Sequence, residues 1–301
     1  MIYIAYSPCY NHPLPLGHRF PMNKYTMIPE QLLKEGTFTN RNFFAPEITG
    51  EDYIAWVHSP EYIQRLKSKQ LTKVEERRIG FPLSDELIRR ESLICAGNTQ
   101  AAVLALENGV SFNVAGGTHH AHRNFGEGYS MFNDIAVASQ YLLNNNNGIK
   151  KILVVDLDVH QGNGTASIFA NELRVFTFSM HCENNFPLRK SKSDLDIPLE
   201  HYTIDKEYLR ILEYQLPKLI EKVKPDFIFY QSGVDILETD KIGMLRVTKE
   251  GCLTRDRIVL ETAHRHQIPL TVSMGGGYAD NIEDIVDAHC NTYRVAKEIY
   301  L

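Results

Sequence analysis

Uninterrupted apolar runs punctuate this chain at residues 2–6, 112–115, 152–155, 175–178, 227–230 and 270–273. Runs without polar alternation predict strands buried on both faces. Between them lie helical patterns over residues 91–108, 134–145, 205–223, 249–266 and 282–299. Strands that alternate with helices imply crossover connections, and therefore an α/β fold with a central parallel sheet.

Breaks in the pattern are local. Asn144 to Asn147 with Gly148 close one helical pattern, and Lys224-Pro225-Asp226 leads into a strand. Neither is long enough to link two domains, so residues 1–301 are expected to form one. Residues 11–29 carry Pro13, Pro15, Pro21 and Pro29 and predict an irregular loop. Long loops in compact domains frequently carry function, which makes this one a candidate rim of a binding site.

Composition narrows the classes. With 43% hydrophobic and 23% charged residues the chain is able to bury a large core, which argues against disorder. A formal charge of -5 gives no basic field for a nucleic-acid backbone, so no direct nucleic-acid partner is expected. Cys9, Cys95, Cys182, Cys252 and Cys290 form no Cys-x-x-Cys pair, which argues against a disulfide framework or a zinc knuckle. No apolar stretch approaches the roughly 20 residues of a membrane span, and the first residues do not resemble a signal peptide. A soluble cytoplasmic protein is the expectation.

Chemistry gathers at the ends of the predicted strands. The run 152–155 leads into Asp156-Leu157-Asp158-Val159-His160, and a strand sends alternate side chains to one face. Two carboxylates and an imidazole suit a divalent metal, although the same run also reads as a turn after a buried strand. Strand 112–115 leads into Gly116-Gly117-Thr118-His119-His120, whose adjacent imidazoles suit proton exchange near neutral pH; a solvated loop is the bland alternative, as assumed for His58, His201, His264 and His266. Strand 227–230 leads into Gln231-Ser232-Gly233-Val234-Asp235, whose carboxylate would complete an open three-ligand site with Asp158 and His160. The last strand leads into Met274-Gly275-Gly276-Gly277-Tyr278, which makes Tyr278 a candidate oxyanion donor. Four strand ends thus each deliver a reactive group to the edge where open α/β sheets hold their ligands.

Gly-Gly-Thr-His-His, Asp-Leu-Asp-Val-His-Gln-Gly-Asn-Gly, Ser-Gly-Val-Asp and Gly-Gly-Gly-Tyr together resemble the signature set of the histone deacetylase family, in order and spacing. The Gln161-Gly162-Asn163 variant is most similar to class IV and its bacterial relatives. The resemblance implies a three-layer α/β/α arginase/deacetylase fold with zinc on Asp158, His160 and Asp235; iron or another divalent ion is an alternative occupant. It implies His120 as general base and then acid, and His119 beside the leaving amine, braced by Asp156. Tyr278 would bond the oxyanion, and Asn163 would orient His120. Gly128 and Tyr129 would line the acyl-lysine tunnel. Ser179 and Met180, with the carbonyls of Asp156, Asp158 and His160, would hold a structural potassium ion.

The activity implied is hydrolysis of an N6-acyl-lysine amide in a protein or peptide by metal-activated water. An acetylpolyamine or another small acylated amine is the alternative substrate. Two positions depart from class I members. Asn163 replaces an aspartate behind His120, so that histidine would be oriented by an amide without negative charge, and Thr118 replaces a bulkier residue. An arginase-like ureohydrolase is disfavoured because Asp-x-Asp-x-His is not that branch's Asp-Ala-His-x-Asp. A non-catalytic acyl-lysine binder would be expected to have lost a ligand, a histidine or the tyrosine, and all are present.

Overall fold

Eight parallel strands form one sheet in the computed structural model, which describes residues 1–48, 52–145 and 148–301. Asn146 and Asn147, part of the asparagine run expected to close a helix, lie outside the described residues. The strands are β1 (Tyr3–Ala5), β2 (Phe43–Phe44), β3 (Val110–Asn113), β4 (Ile152–Asp156), β5 (Val175–Cys182), β6 (Leu195–Leu199), β7 (Phe227–Ser232) and β8 (Leu270–Met274). The α-helices are α1 (Lys24–Lys34), α2 (Asp52–Ala55), α3 (Pro60–Lys67), α4 (Lys73–Ile79) and α5 (Asp85–Asn108), then α6 (Asp134–Asn145), α7 (Asn163–Ile168), α8 (Asp205–Val223), α9 (Lys249–Arg265) and α10 (Ile282–Tyr300).

Strand order is β2-β1-β3-β8-β7-β4-β5-β6. The four strands whose ends carry the candidate chemistry, β3, β8, β7 and β4, are therefore consecutive neighbours at the centre. Their register is level: Asn113 pairs with Ser273, Ser273 with Gln231, Gln231 with Asp156, and Asp156 with Ser179. Each reactive segment leaves the sheet from the same row. Helices flank the sheet: α5 packs on α6 and against β1, β3 and β8, while α1, α10, α9 and α8 pack in series. The central strands are buried on both faces, as their uninterrupted apolarity requires.

The fold departs from expectation in several places. The irregular loop expected over 11–29 ends at Asn23, because α1 begins at Lys24 and runs through Pro29. Tyr25, Ile28 and Leu32 recur at helical spacing and are buried, and that burial outweighs the one backbone bond Pro29 removes. Helix α5 begins at Asp85 rather than residue 91, since the Ser84 hydroxyl caps Leu87 N at 3.1 Å. Strands β2 and β6 had no sequence signal: β2 spans two residues, and β6 carries Asp196 and Pro198, tolerated because it is an edge strand.

His58 is not solvated but fully buried. Its Nδ1 lies 2.9 Å from the His122 carbonyl, and its Nε2 accepts from Asn133 N at 2.9 Å. Both ring nitrogens are thus satisfied by a neutral imidazole, which is why burial is tolerated. His201, His264 and His266 are exposed, as expected. No described helix is long and apolar enough to cross a membrane.

Candidate functional site

Asp158, His160 and Asp235 converge, buried, with one ligand atom from each within 4.8 Å of the others. His160 Nδ1 stands 3.0 Å from Asp158 Oδ1 and 3.2 Å from Asp235 Oδ2. Two ligands of a tetrahedral ion bonded at about 2.0–2.1 Å stand ~3.3 Å apart, so this spacing fits one ion. The remaining lone pairs are tied back by backbone amides: Val159 N donates to Asp235 Oδ1 at 3.0 Å and Gly276 N to Asp158 Oδ2 at 2.8 Å. Asp235 Oδ2 is buried without a hydrogen-bond donor.

Charge agrees with geometry. Burial and the Asp158 charge push the Asp235 carboxyl up to about 7, whereas burial of His160 is outweighed by these two carboxylates, which hold it up to about 10. A pocket that favours positive charge at this point suits a cation. Gly276 is required here, because a Cβ on it would collide with Asp235 Oδ2.

The two adjacent histidines are set apart chemically. His119 Nδ1 is 2.7 Å from Asp156 Oδ2; burial lowers its pKa, but Asp156 and Asp158 outweigh that and hold it at about 9. His120 is driven well below the usual histidine range by burial and by His119 and His160. The Nε2 atoms of the pair are 3.1 Å apart. One ring therefore holds a proton while its neighbour is free to accept one, the division that acid–base chemistry needs. Asp156 Oδ2 faces His119 and is not one of the three clustered ligand residues.

Behind His120 the expected amide is present: its Nδ1 is 2.6 Å from Asn163 Oδ1. The amide itself carries no charge, but a carboxylate stands behind it: Asn163 Nδ2 donates to Glu127 Oε1 at 2.6 Å. His122 Nε2 lies 3.3 Å from the same oxygen, and its Nδ1 lies 2.6 Å from Ser167 Oγ. Glu127 is a turn residue without a sequence signal of its own.

A cavity of about 360 Å³ leads to this cluster. Its walls are aromatic: Tyr129 is 5.1 Å from Phe20 and 6.1 Å from Tyr278, and Phe186 meets the His120 ring edge-on at 4.9 Å. Gly128 and Tyr129 sit at positive φ, 54° and 61°, fixed by bonds from their amides to the carbonyls of Arg78 and Ile79 at the end of α4. A Cβ at Gly128 would stand 2.6 Å from His120 Cδ2, so the wall approaches the histidine only as glycine. Tyr278 lines the cavity; burial and the charges of Asp235 and Asp158 push its phenol up, so it remains a hydrogen-bond donor. Thr118, the other departure, is spent on Asp134, to which its hydroxyl donates at 2.7 Å.

Phe20 and Phe186 had no sequence assignment as walls, although residues 11–29 were expected to form a rim and Phe20 lies there. Three buried cations were also missed: Lys24, Arg255 and Arg90, which lines the cavity beside its partner Glu91. Lys24 donates to the Gly275 carbonyl at 2.9 Å and is lowered to about 8 by burial. Arg255, ion-paired with Asp256 at 2.8 Å, donates to the carbonyls of Leu157 and Gly233 and so clamps the ends of β4 and β7 beneath the ligands. Ser179 faces Asp156 across the β4–β5 pair, with its hydroxyl 3.0 Å from His181 Nδ1, and Met180 follows it, buried.

Residues 18–293 match the histone deacetylase domain. The chain is 41% identical to an uncharacterized protein of Picosynechococcus sp., over 99% of both chains. It is 27% identical to Histone deacetylase 2 of Arabidopsis thaliana, over 89% of this chain and 73% of that one. It is 25% identical to the acetoin utilization protein AcuC of Staphylococcus aureus, over 86% and 72%. Its fold superposes with a TM-score of 0.87 on the crystal structure of an HDAC homolog complexed with SAHA, at 23% identity, covering 99% of this chain and 84% of that one. With this domain matched over nearly its whole length, the chain belongs to the histone deacetylase family.

Proposed function

We propose that this protein is a zinc-dependent deacylase that hydrolyses the amide of N6-acyl-lysine in proteins or peptides. One observation carries the reading: the Asp158-His160-Asp235 cluster lies in a single aromatic-walled cavity with the His120 imidazole and the Tyr278 phenol. The slim aliphatic stem of an acylated lysine suits a passage between Phe20, Tyr129 and Phe186. The Gln161-Gly162-Asn163 run further favours the class IV-like branch.

When bound, a divalent ion supplies Lewis-acid polarisation of the amide carbonyl. The protein does the rest. His120 Nε2 takes a proton from the attacking water and returns it to the departing lysine amine, while Asn163 receives Nδ1–H. His119, kept charged by Asp156, stabilises negative charge as it develops. Tyr278 donates to the carbonyl oxygen as that atom gains charge. Ser179 and Met180, with the backbone carbonyls of Asp156, Asp158 and His160, would hold a structural potassium ion; the level pairing of Asp156 with Ser179 brings these two segments side by side.

A hydrolysis screen of lysine peptides carrying acyl groups from acetyl to myristoyl, run beside acetylpolyamines on metal-analysed protein, tests the reading. Turnover of the peptides is expected. Turnover of polyamines alone would reassign the substrate, and no turnover of any amide would remove the enzyme reading.

A further inference from the structure

Three arginines, Arg19, Arg77 and Arg78, line the cavity and are exposed. They come from two separate segments, the loop before α1 and the end of α4. Among the described residues none of them makes an ion pair with a carboxylate, unlike Arg65, Arg174, Arg257 and Arg294, although other surface arginines such as Arg41 and Arg189 are unpaired too. Arg77 Nε donates to the Lys73 carbonyl, and the Arg78 guanidinium lies 5.1 Å over the Phe125 ring. Neither contact neutralises charge.

Glu76 is next to Arg77 in α4 but forms no ion pair with it among the described residues, and the other nearby carboxylates are hydrogen-bonded elsewhere. Glu75 accepts from Arg65 and from the Thr72 cap of α4, and Glu127 faces Asn163 and His122. Asp280 is paired with Lys241 beside the cavity-lining Ile242. A chain with a formal charge of -5 thus places three arginines without an ion pair at the mouth of its candidate site, Arg78 being only partly offset by the nearby Glu127 charge. A cleft lined by one sign of charge focuses the field and raises the local concentration of oppositely charged ligands.

We infer that Arg19, Arg77 and Arg78 form a collar that selects acyl-lysine flanked by Asp or Glu and turns away acylated polyamines. The inference rests on the deacylase reading and names its substrate class. Guanidinium forks match carboxylates in geometry as well as charge. A neutral acyl-lysine stem passes the collar, whereas a polyamine would hold its remaining ammonium groups against three cations. The ammonium uncovered by hydrolysis is repelled in the same way, which favours release of the deacylated lysine.

The test compares kcat/KM for two matched acyl-lysine peptides, one flanked by Glu and one by Lys, and for an acetylpolyamine. Wild type and a Arg19→Glu/Arg77→Glu/Arg78→Glu variant are assayed at low and high salt. The readout is the ratio between substrates within one protein, so a general loss of activity in the variant cancels. Wild type is expected to favour the acidic peptide by on the order of tenfold at low salt, with the ratio shrinking as salt rises and inverting in the variant. Equal values for the two peptides in wild type, or a preference that survives charge reversal, would overturn the collar. If metal-loaded wild type hydrolyses no acyl amide, the deacylase reading fails. Fluorescence anisotropy of the labelled peptides then decides the collar alone: tighter binding of the acidic peptide that is lost in the variant supports it, and equal binding overturns it.

Discussion

Asn163 Nδ2 lies 2.6 Å from Glu127 Oε1, and this contact fixes which way round the amide sits. A carboxylate only accepts hydrogen bonds, so the NH2 end must face Glu127 and the Oδ1 end must face His120. His120 Nδ1, 2.6 Å from that oxygen, must then donate, which leaves Nε2 free to accept a proton. Glu127 therefore sets the tautomer of His120, the proposed base, through a neutral intermediary. Glu127→Leu is expected to lower kcat by on the order of 10- to 100-fold with KM little changed, the scale of losing a partner that orients a functional imidazole. Glu127→Gln should retain more activity, because its carboxamide oxygen accepts the same bond. Asn163→Asp in the Leu background should restore part of the loss, since a carboxylate needs no orienting. Steady-state kinetics of the four proteins check the argument, and equal kcat in wild type and Glu127→Leu would refute it.

In the proposed mechanism Tyr278 is the phenol that donates where carbonyl charge develops. Its donor is kept protonated by burial and by the nearby carboxylates. Tyr278→Phe keeps the ring and its contacts with Phe20 and Tyr129 while removing one donor. Loss of a single oxyanion donor is worth about 10²–10³ in kcat, and that drop is expected with metal content unchanged. Elemental analysis beside single-turnover rates separates a chemical defect from a metal-loading defect.

Asp235 Oδ2 is buried and makes no hydrogen bond, with only His160 Nδ1 beside it at 3.2 Å, a contact that a bound cation would replace. Zinc added at about 100 times its Kd is expected to stabilise wild type by about 2.7 kcal/mol. Asp235→Ala should abolish that stabilisation and reduce bound metal from one ion per chain to a trace. Thermal melts with and without zinc, together with metal analysis, provide the check. An unchanged zinc response in the variant would place the ion elsewhere.

The site was legible in sequence because each half of it is local. A buried parallel strand must be apolar throughout, so the point where Val155 gives way to Asp156 marks both the end of a strand and the start of chemistry. Sequence does not reveal which strand ends are neighbours; that β3, β8, β7 and β4 stand side by side depends on the path of the crossovers. Nor does it reveal contacts between residues that each look ordinary. Glu127 reads as a turn residue, Phe186 as one aromatic among polar neighbours, and Arg77 and Arg78 as the charged end of a short helix. Pro29 misled because proline breaks elements by default, and only tertiary burial of Ile28 and Leu32 overrules that default.

His58 joins three segments from the inside, and its chemistry makes the fold sensitive to acid. The ring is buried among Tyr62 and Phe132, accepts from Asn133 N, and bonds the His122 carbonyl. Burial, together with the charges of Arg123 and His122, lowers its pKa to about 4 despite those backbone bonds. In the unfolded chain the same ring titrates near its ordinary value of about 6.5. Between these values the unfolded state binds the extra proton, so stability rises with pH in that window. The neutral ring's contribution is complete above about pH 6.5 and is lost as pH falls towards about 4, a change of roughly 3 kcal/mol. Urea melts between pH 7 and pH 4 should show this loss. His58→Gln, which cannot titrate, should be less stable at pH 7 yet show a flatter dependence over the same interval, and a wild-type slope retained in the variant would assign the effect to another group.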